Sequence, residues 1–429
     1  MPKIAEILSE QFEGKEVEIA GWIYRTRSSG SLVFVVLRDS SGIVQVTVNK
    51  EDVPEEDFLA AEKALVESSV IVSGAVAGDD RAPGGFEIRA KSFRVIGFAD
   101  KYPITKDQST EFLLDKRHLW IRSRKMTNMM KVRSTVFGAI HDFFRNNGYY
   151  EVQAPILTPA MVEGGSTLFK VDYYEKEVYL AQSWQLYAEA MVMALEKIYC
   201  IAPSFRAEKF RTTRHLTEYW HAEMEIAWAG MDECIEEGEK LISHICLQVA
   251  EKNRSELEAL GRDPEYLESQ VPPFPRMKYD KAVKMLQKQG MDIEWGKDLR
   301  TLEERALMGE FDKPLIVTHY PKDIMAFYKP RDPEDPKVAL CFDFIAPETG
   351  DEIIGGSERD ADIEELKKSL EREGEDVSNY EWYLDTRRYG SVQHSGFGVG
   401  IDRVVQWICG LQHIRDAVPF PRTVARYYP

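Results

Sequence analysis

The chain has no Cys-x-x-Cys pair, no His-Glu-x-x-His pair and no even complement of cysteines. Cys200, Cys234, Cys246, Cys341 and Cys409 stand at irregular spacing. Neither a disulfide framework nor a thiolate zinc site is therefore expected. Such cysteine usage fits a reducing compartment, and a cytoplasmic location is expected. Apolar runs fall far short of the ~20 residues that a membrane-crossing helix needs, so no membrane-spanning segment is expected. The opening residues MPKIAEILSE carry acids and lack an apolar core, so no secretory leader is expected. Low-complexity tracts and internal repeats are missing too. Positive charge is in deficit: 55 Lys and Arg face 72 Asp and Glu, a net charge of −17. That balance excludes indiscriminate binding to nucleic acid, though not a local basic face.

What is present is a soluble globular composition, 44% hydrophobic and 30% charged over 429 residues, enough for two or three domains. Residues 15–50 alternate as strands: KEVEIAGWIY, then SLVFVVLRD, then IVQVTVNK, separated by Ser-Ser-Gly and Asp-Ser-Ser-Gly turns. A short helix is expected around 54–66, and two further strands follow by residue 97. Five short strands and one helix predict a small Greek-key barrel of the oligonucleotide-binding (OB) type over 1–100. Residues 101–120 have weak periodicity and read as a linker. From 121 to 429 helices (126–146, 183–195, 231–257, 279–289, 363–372) and strands (177–180, 198–207, 219–228, 315–319, 340–344, 351–355) alternate irregularly. The fold class is α+β rather than a regular βαβ array. Seven basic residues and no acid lie between Lys116 and Arg133, a basic face or an ordinary solvated helix side.

Three segments carry chemistry. In IAPSFRAEKFRTTRHLTEYWHAEMEIAW, Arg206 and Glu208 leave one face of a strand, Arg211 and Arg214 lie in the following loop, and Tyr219, Glu223 and Glu225 share parity on the return strand. Charged side chains on a sheet face bury only when paired or bound to a ligand. In HSGFGVGIDRVVQWICG, Gly396, Gly398 and Gly400 alternate along a strand and leave room for a flat ligand. Too little chain follows Gly400 to complete a dinucleotide-binding βαβ unit. In FDFIAPETGDEIIGGSERD, Asp343 and Glu352 can converge on Mg²⁺ held with phosphates, while Glu348 and Asp351 read as solvated turn acids.

FRAE followed by RHLTEY resembles motif 2 of the class II aminoacyl-tRNA synthetases, and GFGVGIDR resembles motif 3. Pro155, closing the unit 126–155, resembles the motif 1 proline. The order, the spacing and the preceding barrel resemble subclass IIb across essentially the whole chain; the class I signatures HIGH and KMSKS do not occur. The segment YLAQSWQLYAEA resembles the amino-acid-binding strand-helix of the aspartate and asparagine branches. The aspartate branch typically reads QSPQLYKQ, with a lysine for the substrate carboxylate; here Ala188 stands in its place and Glu189 follows. A carboxamide wants an acceptor for its NH₂ and a donor for its oxygen. Glu189 is expected to be that acceptor in the amino-acid pocket, and Arg359, in GGSER, the donor. A Glu189 carboxylate facing aspartate would cost ~4 kcal/mol at an effective dielectric near 20.

The resemblance implies ATP-dependent ligation of L-asparagine to tRNA(Asn) through an adenylate, with ATP as substrate and Mg²⁺ as cofactor. Rival readings are an aspartate enzyme, discriminating or not, a catalytically silent tRNA-binding paralogue, and an adenylating amidoligase, which would have no use for an anticodon-type barrel. By resemblance Arg206 and Arg403 are catalytic. Arg206, Glu208, Arg214, His215, Leu216, Tyr219, Glu352, Gly400 and Arg403 bind ATP, with Tyr219 and Arg403 on the two faces of adenine. Glu163, Ser183, Gln185, Glu189, Arg206 and Arg359 bind the amino acid. Asp343 and Glu352 hold Mg²⁺; Gly355 replaces a serine frequent in aspartate relatives. Arg25, Phe34 and Gln45 of the barrel read the anticodon, and the basic run contacts the tRNA backbone. A homodimer is implied, with the motif 1 unit burying its apolar face at the twofold axis.

Overall fold

The alternation in the first hundred residues closes into a barrel. In the computed structural model, which describes residues 1–162, 167–209 and 212–429, strands β1 (Glu16–Ser29), β2 (Leu32–Arg38), β3 (Ile43–Asn49), β4 (Ser69–Gly78) and β5 (Phe86–Gly97) join in the closed order β1-β2-β3-β5-β4. β3 and β5 run parallel and the other neighbours antiparallel. Val33, Val35 and Leu37 of β2 and Val44, Val46 and Val48 of β3 point into the core, so the intervening residues face outward. Helix Glu55–Lys63, between β3 and β4, adds Phe58 and Ala61 to that core. This is the OB-type barrel that the alternation predicts.

The chain divides into Met1–Leu119 and Trp120–Pro429. The stretch read as a linker holds short helices at Thr110–Asp115 and Arg117–Trp120. The Ser109 hydroxyl accepts the Phe112 N–H at 3.2 Å and starts the first of them. Six residues are too few to display a 3.6-residue repeat, which is why the sequence pattern misses it.

In the second unit, β6 (Tyr150–Glu151) precedes a small sheet of β7 (Leu157–Thr158), β8 (Lys170–Tyr173) and β9 (Lys176–Leu180), ordered β7-β9-β8. The main sheet adds β10 (Lys197–Phe205), β11 (Glu218–Ala227), β12 (Arg276–Lys278), β13 (Leu315–Thr318), β14 (Cys341–Ile345), β15 (Glu352–Glu358) and β16 (His394–Gly400). Among the described residues its order is β12-β13-β14-β15-β16-β11-β10-β6, antiparallel except for the parallel pair at each edge. Helices Arg124–Asn146 and Met231–Lys252 share one apolar core with Met224, Phe344, Ile354, Phe397 and Val399 of this sheet. Ala222 and Met224 of β11 enter that core, whereas His221, Glu223 and Glu225, one residue out of phase, line the opposite face.

Two expectations about the region after the linker are corrected here. The apolar stripe of Arg124–Asn146 (Met126, Met129, Val132, Val136, Ile140, Phe143, Phe144) is buried in its own chain rather than left for a partner. The basic run is not one solvated face: Arg117 and Arg133 are buried, and Arg133 bonds Asp402. Helices Thr301–Met308 and Glu381–Arg388 were not legible, being short and heavily charged.

Candidate active site

The motif 2 hairpin and the glycine strand lie side by side because β11 pairs with both β10 and β16. Next to β16 comes β15, which starts at Glu352 and leads into Arg359 just past its end; both side chains line the same cleft. The result is a cleft of two adjoining hollows. The first is lined by all nine residues expected to bind ATP: Arg206, Glu208, Arg214, His215, Leu216, Tyr219, Glu352, Gly400 and Arg403. The second is lined by Ser183, Gln185, Arg206, Arg359, Asp343 and Glu352 of the predicted set. Arg206, His221, Glu352 and Gly398 belong to both walls.

In the first hollow β10 ends at Phe205, so Arg206 and Glu208 follow the strand rather than ride on it. Arg206 Nη1 lies 3.8 Å from Glu208 Oε1, and its guanidinium lies 5.9 Å from the Tyr219 ring centre. Arg403 donates to the Glu352 carbonyl at 2.7 Å. Arg214 is ion-paired with Glu304 of helix Thr301–Met308. Leu216 packs with Ile414 and Val418. Burial, reinforced by Arg403, Arg214 and Arg206, pushes His215 down to about 4. Burial, with Arg206 and Arg403, pushes His221 down to about 3. Both imidazoles are neutral at pH 7, so the guanidiniums supply the cationic field of this hollow.

In the second hollow Ser183 donates to Glu223, which also accepts the Trp184 N–H at 3.1 Å. Burial raises Glu223 to about 7 against those two bonds. Arg359 lines the hollow as well: Nε and Nη2 donate to Glu225 at 2.8 and 2.9 Å, and Nη1 to Ser357 at 2.8 Å. Tyr328, Lys329 and Asp298 also line it. Asp343 is half-buried on β14, and desolvation together with the charge of Glu352 lifts its carboxyl well above the usual range. A Cβ on Gly355 would stand 2.6 Å from Glu352 Oε1 and 3.5 Å from Asp343 Oδ1. Glycine there lets the two carboxylates converge, a hard-oxygen pair suited to a divalent cation.

Several sequence expectations change. Glu189 does not line the cleft: it is fully buried, and Gln185, Tyr383, His394 and Arg387 already donate to it. Helix Gln185–Leu195 turns it inward, one turn behind Gln185. The acceptor next to Arg359 is Glu225 instead. Gly396 makes room not for a ligand but for that acid, since a Cβ on it would sit 2.0 Å from Glu225 Oε2. Gly398 and Gly400 do line the first hollow. Asp351 is buried rather than solvated. Glu163 lies outside the described residues. Glu223 and Glu225 were visible in the parity of β11, and His221 shares that parity; Tyr328 and Lys329 sit on an irregular loop and gave no signal.

On the barrel, Arg25, Phe34 and Gln45 all leave the outer face. Arg25 pairs with Val36, which pairs with Gln45; Arg27 pairs with Phe34 in the next row. The Arg27 guanidinium lies 5.1 Å from the Phe34 ring centre. Gln45 Nε2 donates to Glu87 at 3.2 Å. Phe34 is thus a half-exposed aromatic beside arginines and an amide, not a core position.

Two family models match the chain: "tRNA synthetases class II (D, K and N)" over residues 109–424 and "OB-fold nucleic acid binding domain" over residues 17–96. The protein belongs to the class II tRNA synthetases of the D, K and N group. Within that group its similarity runs to the asparagine branch. It is 50% identical to the asparagine–tRNA ligase of Thermoplasma acidophilum over 100% of both chains. It is 51% identical to that of Thermococcus gammatolerans, over 98% of this chain and 97% of the other. The crystal structure of asparaginyl-tRNA synthetase from Pyrococcus horikoshii complexed with asparaginyl-adenylate superposes with a TM-score of 0.97 at 47% identity, covering 100% of both chains.

Proposed function

We infer that this protein joins L-asparagine to tRNA(Asn), using ATP and passing through asparaginyl-adenylate. The asparagine carboxylate attacks the α-phosphorus of ATP and pyrophosphate leaves; the tRNA 3′-terminal hydroxyl then takes the acyl group. No side-chain nucleophile is needed, and positioning plus charge stabilisation carry the rate. Arg206, on the wall common to both hollows, grips the α-phosphate and the attacking carboxylate where nucleotide meets amino acid. Tyr219 and Arg403 hold adenine between them. Glu208, Arg214, His215, Leu216 and Gly400 complete the nucleotide site. Ser183 and Gln185 take the α-ammonium end of the amino acid, as Glu163 does by resemblance.

The observation that carries the asparagine assignment is the two-point bond between Arg359 and Glu225 in the wall of the second hollow. The cation there is already neutralised by an acid. A carboxamide satisfies both partners, its oxygen on Arg359 and its NH₂ on Glu225. A substrate carboxylate would meet Glu225 head-on, at ~4 kcal/mol for unit charges near 4 Å and an effective dielectric of 20.

Asp343 and Glu352 would hold Mg²⁺, which would supply positive charge to the phosphates. Arg25, Phe34 and Gln45 bind the anticodon from the barrel of residues 1–100, and exposed members of the basic run contact the tRNA backbone. The protein works as a cytoplasmic homodimer. Tyr150, Ile156 and Leu157, exposed just beyond helix Arg124–Asn146, support an isologous contact there. Among the described residues no helix is long and apolar enough to cross a membrane.

Pyrophosphate exchange measured separately with asparagine and aspartate tests the reading. Exchange with asparagine is expected; exchange with aspartate alone would overturn it. Sedimentation at micromolar concentration should give a dimer.

A further inference from the structure

Glu189 stands outside the cleft, yet its two oxygens face different neighbours. Oε1 accepts from Gln185 Nε2 at 3.0 Å and lies 4.0 Å from Arg359 Nε. Gln185 and Arg359 both line the amino-acid hollow. Oε2 accepts from Tyr383 Oη at 2.8 Å and from His394 Nε2 at 3.2 Å, and is ion-paired with Arg387. One oxygen thus serves the pocket wall and the other anchors the group to helix Glu381–Arg388 and to β16. Burial alone would raise this carboxyl, but Arg387, the His394 bond and Arg359 outweigh it and hold Glu189 well below the usual carboxylate range. An ionised carboxylate only accepts hydrogen bonds. The Gln185 amide can meet it only with its NH₂ end, one helical turn away. Its carbonyl oxygen is the end left for the cleft.

We propose that Glu189 is a positioning residue for asparagine: it locks the Gln185 side-chain amide with the carbonyl oxygen turned into the amino-acid hollow, where that oxygen accepts an N–H of the substrate. The proposal rests on the reading that asparagine occupies this hollow. A glutamine at position 189 presents either a donor or an acceptor, so the Gln185 amide is no longer held one way round. Turned over, it points NH₂ at a substrate group that also donates. An unmatched polar contact of this kind weakens binding of the amino acid and leaves the nucleotide hollow untouched.

The test is a double-mutant cycle on the full-length enzyme: Glu189→Gln, Gln185→Ala and both together. It reads the KM for asparagine, the KM for ATP and kcat in pyrophosphate exchange, with melting temperature alongside. Glu189→Gln is expected to raise the asparagine KM about tenfold and to change the ATP KM less than about twofold. In the Gln185→Ala background the same substitution should add less than about twofold. Equal fold-changes in both backgrounds, or parallel rises in both KM values, would overturn the proposal. If Glu189→Gln does not fold, Glu189→Asp keeps the charge but draws the carboxylate back by one methylene, away from Gln185. It should show the same selective rise, and a parental asparagine KM would overturn the proposal. A parent enzyme with no asparagine exchange would remove the functional reading as well, whereas additive variants of an active parent sink only the role of Glu189.

Discussion

Arg133, on helix Arg124–Asn146, is ion-paired with Asp402, the residue before Arg403, and the second oxygen of Asp402 accepts the Trp220 N–H at 2.9 Å. Arg133 also donates to the Ala417 carbonyl at 3.1 Å. One buried pair thus ties the long helix, β11, the start of helix Ile401–Ile408 and the segment after it. Removing one member leaves a buried charge alone. Arg133→Met should cost about 3–5 kcal/mol and lower the melting temperature by roughly 10 °C in calorimetry. Adding Asp402→Asn should recover a good part of the loss.

The Arg359–Glu225 pair predicts a shift in substrate preference. Glu225→Gln removes the acid that repels a substrate carboxylate and frees Arg359 to bind it. The ratio of kcat/KM for asparagine over aspartate should fall about a hundredfold in pyrophosphate exchange. An unchanged ratio would place discrimination elsewhere.

The convergence of Asp343 and Glu352 predicts separable effects on metal and stability. Glu352→Gln should raise the Mg²⁺ concentration for half-maximal exchange about tenfold. Asp343→Asn should do the same without lowering the melting temperature, because burial and Glu352 already press Asp343 toward its neutral form.

Phe34 offers a test confined to tRNA. Phe34→Ala should weaken tRNA binding by about 1–3 kcal/mol, read as a higher KM for tRNA in aminoacylation. Pyrophosphate exchange without tRNA should not change.

His221 and Glu223 give opposite pH dependences. His221 sits at about 3 in the fold against an ordinary value of 6.5, so between those limits only the unfolded chain takes up the proton. Its contribution to stability is therefore lost as pH falls from 6.5 toward 3. Glu223 sits at about 7 against an ordinary 4.5, so the folded chain keeps a proton that the unfolded chain releases. Stability is lost on its account as pH rises from 4.5 to 7. Glu223→Gln should raise the melting temperature relative to the parent above pH 7 and leave it near the parent below pH 4.5. His221→Asn should flatten the acid side.

Much of this was readable in advance where one local rule acts over several residues. Two-residue alternation over 16–49 marks the barrel, because every second side chain must face the core. The apolar spacing from Met126 to Phe144 marks the long helix. The acids of β11, sharing one parity, and the glycine strand mark the cleft, since charge on a sheet face demands a ligand or a partner.

Glu189 shows where such reading stops. The sequence by itself determined that a carboxylate follows Ala188 one helical turn after Gln185, that Glu223 and Glu225 share a strand face, and that an arginine ends GGSER. It could not determine which acid meets Arg359, because that depends on strands brought together from residues 225, 359 and 396 and on a helix at 381–388. Only the tertiary structure decided it. β15 and β11 flank β16, Gly396 yields its side-chain space to Glu225, and Arg387 and His394 claim Glu189 from behind. A buried charge goes to whichever partner long-range packing puts within reach, and that distance is not written in any local run of residues.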